Sequence, residues 1–255
     1  MKKKFESIIK VVLLIVNIIL LSGIFFMLVK NNNITFISHR DKLIFEKKFE
    51  EKIEKLSFNV KDFDIKFEYS NDENLLIQVY SSNDDKLTLI VDEDELKVVS
   101  EEKTCIGFCF NGGNKYMEIF LPNNLNYNVN IKGISSNIMA NVPFKQININ
   151  TKSGNINLKE VDESMIKTTS GNIFVEKIIQ STVLKTVSGN ITINDITLEK
   201  NSSMDTTSGN VLINRISSDL LLDISTVSGN KYINYDKNSN TVLKIKTVSG
   251  DIRIK

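Results

Sequence analysis

One pentapeptide, Thr-x-Ser-Gly-Asn or its Asp variant, occurs six times between Thr151 and Asp251. Its glycines are Gly154, Gly171, Gly189, Gly209, Gly229 and Gly250, spaced 17, 18, 20, 20 and 21 residues apart. They are followed by Asn155, Asn172, Asn190, Asn210, Asn230 and Asp251. A period near 20 is the mark of a stacked repeat, since a unit this short cannot bury its apolar face alone and must lie against its neighbours.

The offsets within each copy predict two strands and a corner. Five residues before the glycine stand Ile149, Ile166, Leu184, Met204, Ile224 and Ile245; Thr stands three before and Ser one before. Alternate residues of a strand point the same way, so these three positions are predicted to share one face. After the glycine the apolar residues shift to plus two and plus four, as in Ile156 and Leu158, or Ile191 and Ile193. That break in alternation places a corner at Gly-Asn, where Gly tolerates positive φ and Asn is the next most tolerant. In a stack, the Asn side chains are predicted to hydrogen-bond along a ladder, and the Thr hydroxyls to do likewise. These residues therefore read as folding requirements. Gly133-Ile-Ser-Ser-Asn137 is a degenerate earlier copy, with Ser136 in the glycine position. In the fifth copy Lys231 replaces the inward apolar residue, with Tyr232 beside it, which marks a candidate contact patch. The last copy is expected to be an open edge, which Arg253 and Lys255 would blunt or with which a partner could pair; end-to-end stacking of copies of the chain through it is the alternative reading.

Val11 to Val29 is an apolar run, long enough at 1.5 Å per residue to span most of a hydrocarbon core of about 30 Å. Lys2, Lys3, Lys4 and Lys10 precede it. The positive-inside rule then keeps residues 1–10 in the cytoplasm, makes 11–29 a single-pass signal anchor and exports the rest. A cleaved signal peptide is the rival reading, although no A-x-A-like site follows. Residues 30–44 read as a spacer containing His39, the sole histidine.

Residues 45–125 are expected to form a small antiparallel β lobe, and 126–255 the solenoid. Phe45, Phe49, Ile53 and Leu56 fit a helical stripe or the start of a strand; from Leu56 the period is two, with acidic turns such as Asp92-Glu-Asp-Glu95 between strands. The turns lack the spacing of a calcium loop. Cys105 and Cys109 are the only cysteines. A disulfide between them is chemically permitted outside the membrane, and they form no zinc set. Ile106, Phe108 and Phe110 make the tip of that loop apolar, a second candidate contact patch.

A net charge of +1 provides no general attraction for nucleic acid. Asp195, Glu199, Arg215 and Asp223 are the acidic and basic residues available to a glycan-cleaving site, and their spacing shows no constellation. No residue set calls for a metal or cofactor, and the anchor, the repeat and the lack of a catalytic cluster give the expectation of a non-enzymatic binding protein, with a polysaccharide-acting β-helix enzyme as the last alternative.

Tyr116-Met-Glu-Ile-Phe-Leu-Pro122, the serial Thr-x-Ser-Gly-Asn/Asp-Ile-x-Ile units and Lys55-Leu-Ser-Phe-Asn-Val-Lys-Asp-Phe-Asp-Ile-Lys66 together resemble the bacterial "putative adhesin" family of β-strand-repeat domains. The resemblance covers residues 45 to 255. It implies an all-β, solenoid-like envelope domain, exported or membrane-tethered, with an envelope component or surface protein as partner. Some relatives are associated with the envelope-stress response of Gram-positive bacteria. The family supplies no catalytic residues to carry over.

Overall fold

Apolar residues at two-residue spacing dictate strands, and every regular element among the described residues is a strand. The structure, a computed structural model, describes residues 42–81, 86–100, 115–123, 126–237 and 239–255. The expected anchor at 11–29, His39, Cys105, Cys109, Ile106, Phe108 and Phe110 lie outside these residues. Asp41–Lys255 form one unit.

The repeats stack as rungs, each with a strand before the corner and a strand after it. The pre-corner and post-corner halves build two parallel faces. β8 (Asn128–Lys132) turns into β9 (Ile138–Asn150), whose second half turns into β10 (Ile156–Lys167), and that into β11 (Ile173–Ser188) and β12 (Ile191–Ile196). Neighbouring rungs pair in parallel and in register, as Ile156 with Ile173 and Ile166 with Leu184. The fourth copy forms β13 (Ser202–Ser208) and β14 (Val211–Ile213), paired on β11 and β12.

Beyond this point the spatial order departs from the chain order. The sixth copy, β17 (Val242–Ser249) and β18 (Ile252–Ile254), lies directly against the fourth, with Thr206 opposite Thr247 and Val211 opposite Ile252. The fifth copy, β15 (Leu221–Ser228) and β16 (Lys231–Ile233), pairs on the far side of the sixth. The chain therefore skips a place in the stack and returns to fill it. The expectation that the last copy is the open end is overturned: the rung carrying Arg253 is flanked on both sides, and the edge belongs to the fifth copy.

The opposite end repeats this out-and-back path. β2 (Lys55–Asn59) and β3 (Asp64–Tyr69) form a rung against β8 and β9, while β6 (Glu95–Ser100) and β7 (Lys115–Leu121) form the next rung outward. These pairings are parallel and continue the solenoid. Antiparallel pairing is confined to the outermost strands: β1 (Lys42–Phe49) on β4 (Leu75–Ser81), β4 on β7, and β5 (Leu87–Asp92) on β6. The expected antiparallel lobe is thus only a cap, because Leu56, Phe58, Ile65 and Phe67 continue the inward apolar columns of the repeats. Phe45 and Phe49 lie in strand β1, so the helical reading of that stripe fails. Antiparallel pairing to β4 from Lys42 to Phe49 gives one edge of the β1 backbone its partners without a helix.

One continuous core runs from Phe49 to Ile254. Ile149, Ile166, Leu184, Met204 and Ile245 are at most 2% exposed, as are Ile156, Ile173, Ile191, Val211 and Ile252. Each such aliphatic side chain contributes about 1.5–3 kcal/mol when fully buried. Within this core runs a short hydroxyl column that sequence patterning did not reveal. Ser164 and Thr182 share a hydrogen bond of 2.6 Å, and the Thr182 N–H donates to Ser202 Oγ at 2.9 Å.

Candidate functional site

The corner is a ridge built by four residue types, each with a separate task. Glycine is required by backbone approach. A Cβ at Gly189 would lie 2.0 Å from the carbonyl oxygen of Gly171, and one at Gly209 would lie 1.9 Å from that of Gly189. Gly154, Gly171, Gly229 and Gly250 also have φ between +138° and +158°, a region unfavourable to residues with a Cβ. The degenerate rung solves the same problem by exchange. A Cβ at Gly133 would sit 3.0 Å from Ser136 Oγ, so the Ser136 side chain fills the space that Thr fills elsewhere.

The asparagine ladder is side chain to backbone. Oδ1 of Asn137, Asn155, Asn172 and Asn190 accepts from the backbone N–H of Asn155, Asn172, Asn190 and Asn210 respectively, at 2.8–3.0 Å. Asn210 Oδ1 then accepts from Asp251 N–H (2.8 Å), and Asp251 Oδ1 from Asn230 N–H (2.9 Å). Asp64 begins the ladder, its Oδ1 accepting from Asn137 N–H at 2.7 Å. Only an acceptor is needed, which is why Asp serves at two places. The Asn230 N–H, foremost, and Arg253 beside it hold the Asp251 carboxyl below its ordinary value.

Threonine hydroxyls do not bond to one another as expected. Four of the six donate to glycine carbonyls of the neighbouring rung: Thr186 to Gly171 (3.3 Å), Thr206 to Gly189 (3.1 Å), Thr247 to Gly209 (3.0 Å) and Thr226 to Gly250 (3.1 Å), while Thr151 donates to the carbonyls of Ser153 (3.1 Å) and Ile134 (3.3 Å). The serine before each glycine was expected on the inner face with Thr, but Ser153, Ser170, Ser188, Ser208, Ser228 and Ser249 are exposed. The chain is already turning at Ser, so its side chain leaves the strand face. Ser and Asn of the rungs from Ser135 to Ser188 line an open polar groove of about 530 Å³ along that part of the ridge.

The ridge continues past Asp64 into two tyrosines. Asp64 is the register partner of Tyr116, and Tyr116 of Tyr80. The two rings stack with centroids 4.5 Å apart and planes 10° apart. Burial, then the carboxylates of Glu118 and Glu46, push the Tyr80 phenol up, so it stays neutral. A second groove of about 670 Å³ lies beside Tyr116, over Asp64, Lys66, Glu118, Met139 and Asn157, and shares Asn137 and Asn155 with the polar groove. Lys66 bonds Glu68 at 3.0 Å and Glu118 at 3.4 Å; the Glu68 hydrogen bond leads in raising its pKa. Sequence reasoning missed this groove, because Asp64, Lys66, Tyr116 and Glu118 precede the repeat and meet the ladder only through pairing of β7 with β3 and of β3 with β9.

The remaining candidates separate cleanly. Lys231 and Tyr232 lie on the terminal rung. Lys231 Nζ donates to the Ile224 carbonyl at 2.7 Å, and the Arg253 guanidinium lies 5.1 Å from the Tyr232 ring centroid. Asp195 and Arg215 occupy the same offset on adjacent rungs and pair at 2.6 Å; Ser217 also donates to Asp195 at 2.6 Å. The hydrogen bond from Arg215, chiefly, lowers the Asp195 pKa. Glu160 and Lys177 extend this charged column at 3.2 Å. Asp223 pairs with Lys244 at 3.3 Å. These charges are tied to neighbouring rungs. The acidic turns are likewise engaged, Asp72 with Lys48 (2.7 Å), Asp94 with Lys55 (3.0 Å) and Asp92 with Lys97 (3.2 Å). Among the described residues no group of three potential metal ligands converges, and no helix is long and apolar enough to cross a membrane.

No curated protein matches the sequence. Among solved structures, a "putative adhesin" from Bacteroides fragilis is similar at 16% identity and a TM-score of 0.52, covering 84% of this chain and 97% of that one. A "putative adhesin" from Parabacteroides merdae is similar at 14% identity and a TM-score of 0.50, covering 80% and 95%. A "putative lipid binding protein" from Parabacteroides distasonis aligns at 14% identity and a TM-score of 0.47, covering 83% and 96%. At these identities the first two likenesses establish the fold alone. The family model described as Toastrack DUF4097 matches residues 53–255, and the chain belongs to that family.

Proposed function

We propose that this protein is a non-enzymatic, single-pass membrane protein whose β-solenoid, exported beyond residues 11–29, binds a component of the cell envelope. The observation that carries the reading is the long exposed ridge. The repeat spends its glycines, threonines and asparagine oxygens on the scaffold, and still presents a continuous polar surface ending in an aromatic groove. The Asp195–Arg215 pair supports a structural use for the charges that a glycan-cleaving site would need. Export rests on the apolar run after a lysine-rich start.

The test is binding of labelled full-length chain, in detergent, to separated wall and membrane fractions. Saturable retention on one fraction is expected; a folded protein retained by neither would refute the reading. A second reading, end-to-end assembly, moves from the last copy to the fifth, whose strands β15 and β16 are paired on one side only. Lys231 argues against it, since its ammonium occupies a carbonyl of that edge.

A further inference from the structure

The ladder gives the ridge a chemical polarity. Each backbone N–H in it needs an acceptor, and only Oδ1 of an asparagine can serve, so the amide must present Oδ1 along the stack. The Nδ2 end is thereby left to face solvent. Asn155, Asn172, Asn190 and Asn210 occupy four consecutive rungs, and all four are exposed. Parallel strands lie about 4.8 Å apart, so N–H donors recur along the ridge at that interval. Asn137 ends the series because its Nδ2 is bound by both Asp64 oxygens at 3.1 Å.

At that end the groove changes character without breaking. Tyr80 covers one side of Tyr116, and the groove lies on the side toward Asp64. Its charges are largely spent on one another. Lys66 answers Glu68 and Glu118, and Asp64 holds Asn137. An anionic ligand would meet Asp64 and Glu118 with the one lysine already engaged. A volume of about 670 Å³ is in the usual range for a ligand site, apolar and aromatic walls with a few placed polar groups.

An aromatic face beside a file of amide donors, with two carboxylates against one lysine in the lining, turns away an anionic chain and matches an extended uncharged polysaccharide. The C–H face of a sugar ring meets the electron-rich face of a tyrosine, and its hydroxyl, ring and acetamido oxygens accept from amide N–H groups. We propose that the ridge is a track for such a glycan, with one sugar seated beside Tyr116 and following sugars bonded to Asn155, Asn172, Asn190 and Asn210. This rests on the envelope-binding reading above and names the chemistry of the bound component.

The test uses the full-length chain with chitopentaose and cellopentaose, read by calorimetry and by tyrosine emission, which is unobscured because the chain has no tryptophan. Polyphosphate and phosphatidylglycerol vesicles represent the rival ligand classes. The double variant Asn155→Asp, Asn190→Asp keeps both ladder acceptors and removes two donor groups, so its melting temperature should stay close to that of the parent. Binding of at least one oligosaccharide is expected, weakened about tenfold or more by the double variant and by Tyr116→Ala. Oligosaccharide binding unchanged in the double variant would sink the proposal, even if Tyr116→Ala fails to fold. Preference for polyphosphate or vesicles would also overturn it. If neither oligosaccharide binds while the wall or membrane fraction still retains the protein, the glycan track is wrong and the envelope reading stands. Loss of both refutes both.

Discussion

Asn210 Oδ1 receives its hydrogen bond from the backbone N–H of Asp251, 41 residues onward, at 2.8 Å. The next corner asparagine in the chain, Asn230, bonds instead to Asp251. This pair of contacts fixes the order of the last three rungs as fourth, sixth, fifth. The reason lies in Lys231. At the offset where five copies bury Ile or Val, the fifth carries a lysine. An unpaired ammonium inside the stack would incur a large desolvation cost. At the end it stays exposed, and its ammonium reaches the Ile224 carbonyl.

That order predicts cross-linking. Thr207 and Val248 lie between paired residues of β13 and β17, so their Cα atoms should be about 4.8 Å apart, within disulfide range. With Cys105 and Cys109 replaced by serine, the pair Thr207→Cys, Val248→Cys should oxidise readily, and the pair Thr207→Cys, Val227→Cys should not. Non-reducing electrophoresis reads the result; the opposite pattern would restore the chain order.

Gly209→Ala should be severely destabilising, by about 3 kcal/mol or more in urea unfolding, because its methyl would stand 1.9 Å from a backbone oxygen that cannot move independently of its rung. Ser208→Ala, one residue earlier and exposed, should change stability by no more than about 0.5 kcal/mol.

The ladder needs an oxygen and no donor. Asn190→Asp should therefore fold normally at neutral pH, while Asn190→Ala should lose about 1 kcal/mol with the bond to Asn210 N–H. Acid separates the natural carboxylate from an amide. The Asp251 carboxyl is lowered from 3.8 in the folded chain, first by the Asn230 N–H. Its contribution is present above the unfolded value and disappears as pH falls through the folded one. Asp251→Asn should thus reduce the loss of melting temperature on acidification below about pH 4. An unchanged acid limb would show that Asp251 is not responsible.

Lys231→Ile should restore the inward apolar column on an open edge. Exposed Leu221, Tyr232 and Ile233 already flank it. Exposed apolar edges invite pairing, so sedimentation velocity should show concentration-dependent association of the variant and a single species for the parent. A variant as monomeric as the parent would remove the guarding role assigned to Lys231.

Much of the scaffold was legible because a stacked repeat writes each contact into every copy. The columns of Ile, Thr, Gly and Asn pair like with like, so offset alone located the core and the corner. Thr misled in part, since a hydroxyl meets whichever acceptor the corner brings near, and that is the glycine carbonyl. Ser misled because alternation was carried one residue too far into the turn. The Tyr80–Tyr116 groove had no periodic signal. It exists only where β7, from an outer rung, pairs with β3, whose Asp64 starts the ladder.

The sequence by itself determined the all-β class, the rung length, the buried columns and the acceptor required at each corner. The tertiary structure alone decided the order of the rungs. Copies four, five and six present nearly identical backbone edges, so hydrogen bonding permits any of them to be neighbours. Side chains that cannot be buried, Lys231 foremost, select which copy stands at the end. The same long-range pairing decided that the amide file runs into two stacked tyrosines, a junction between residues that no local pattern connects.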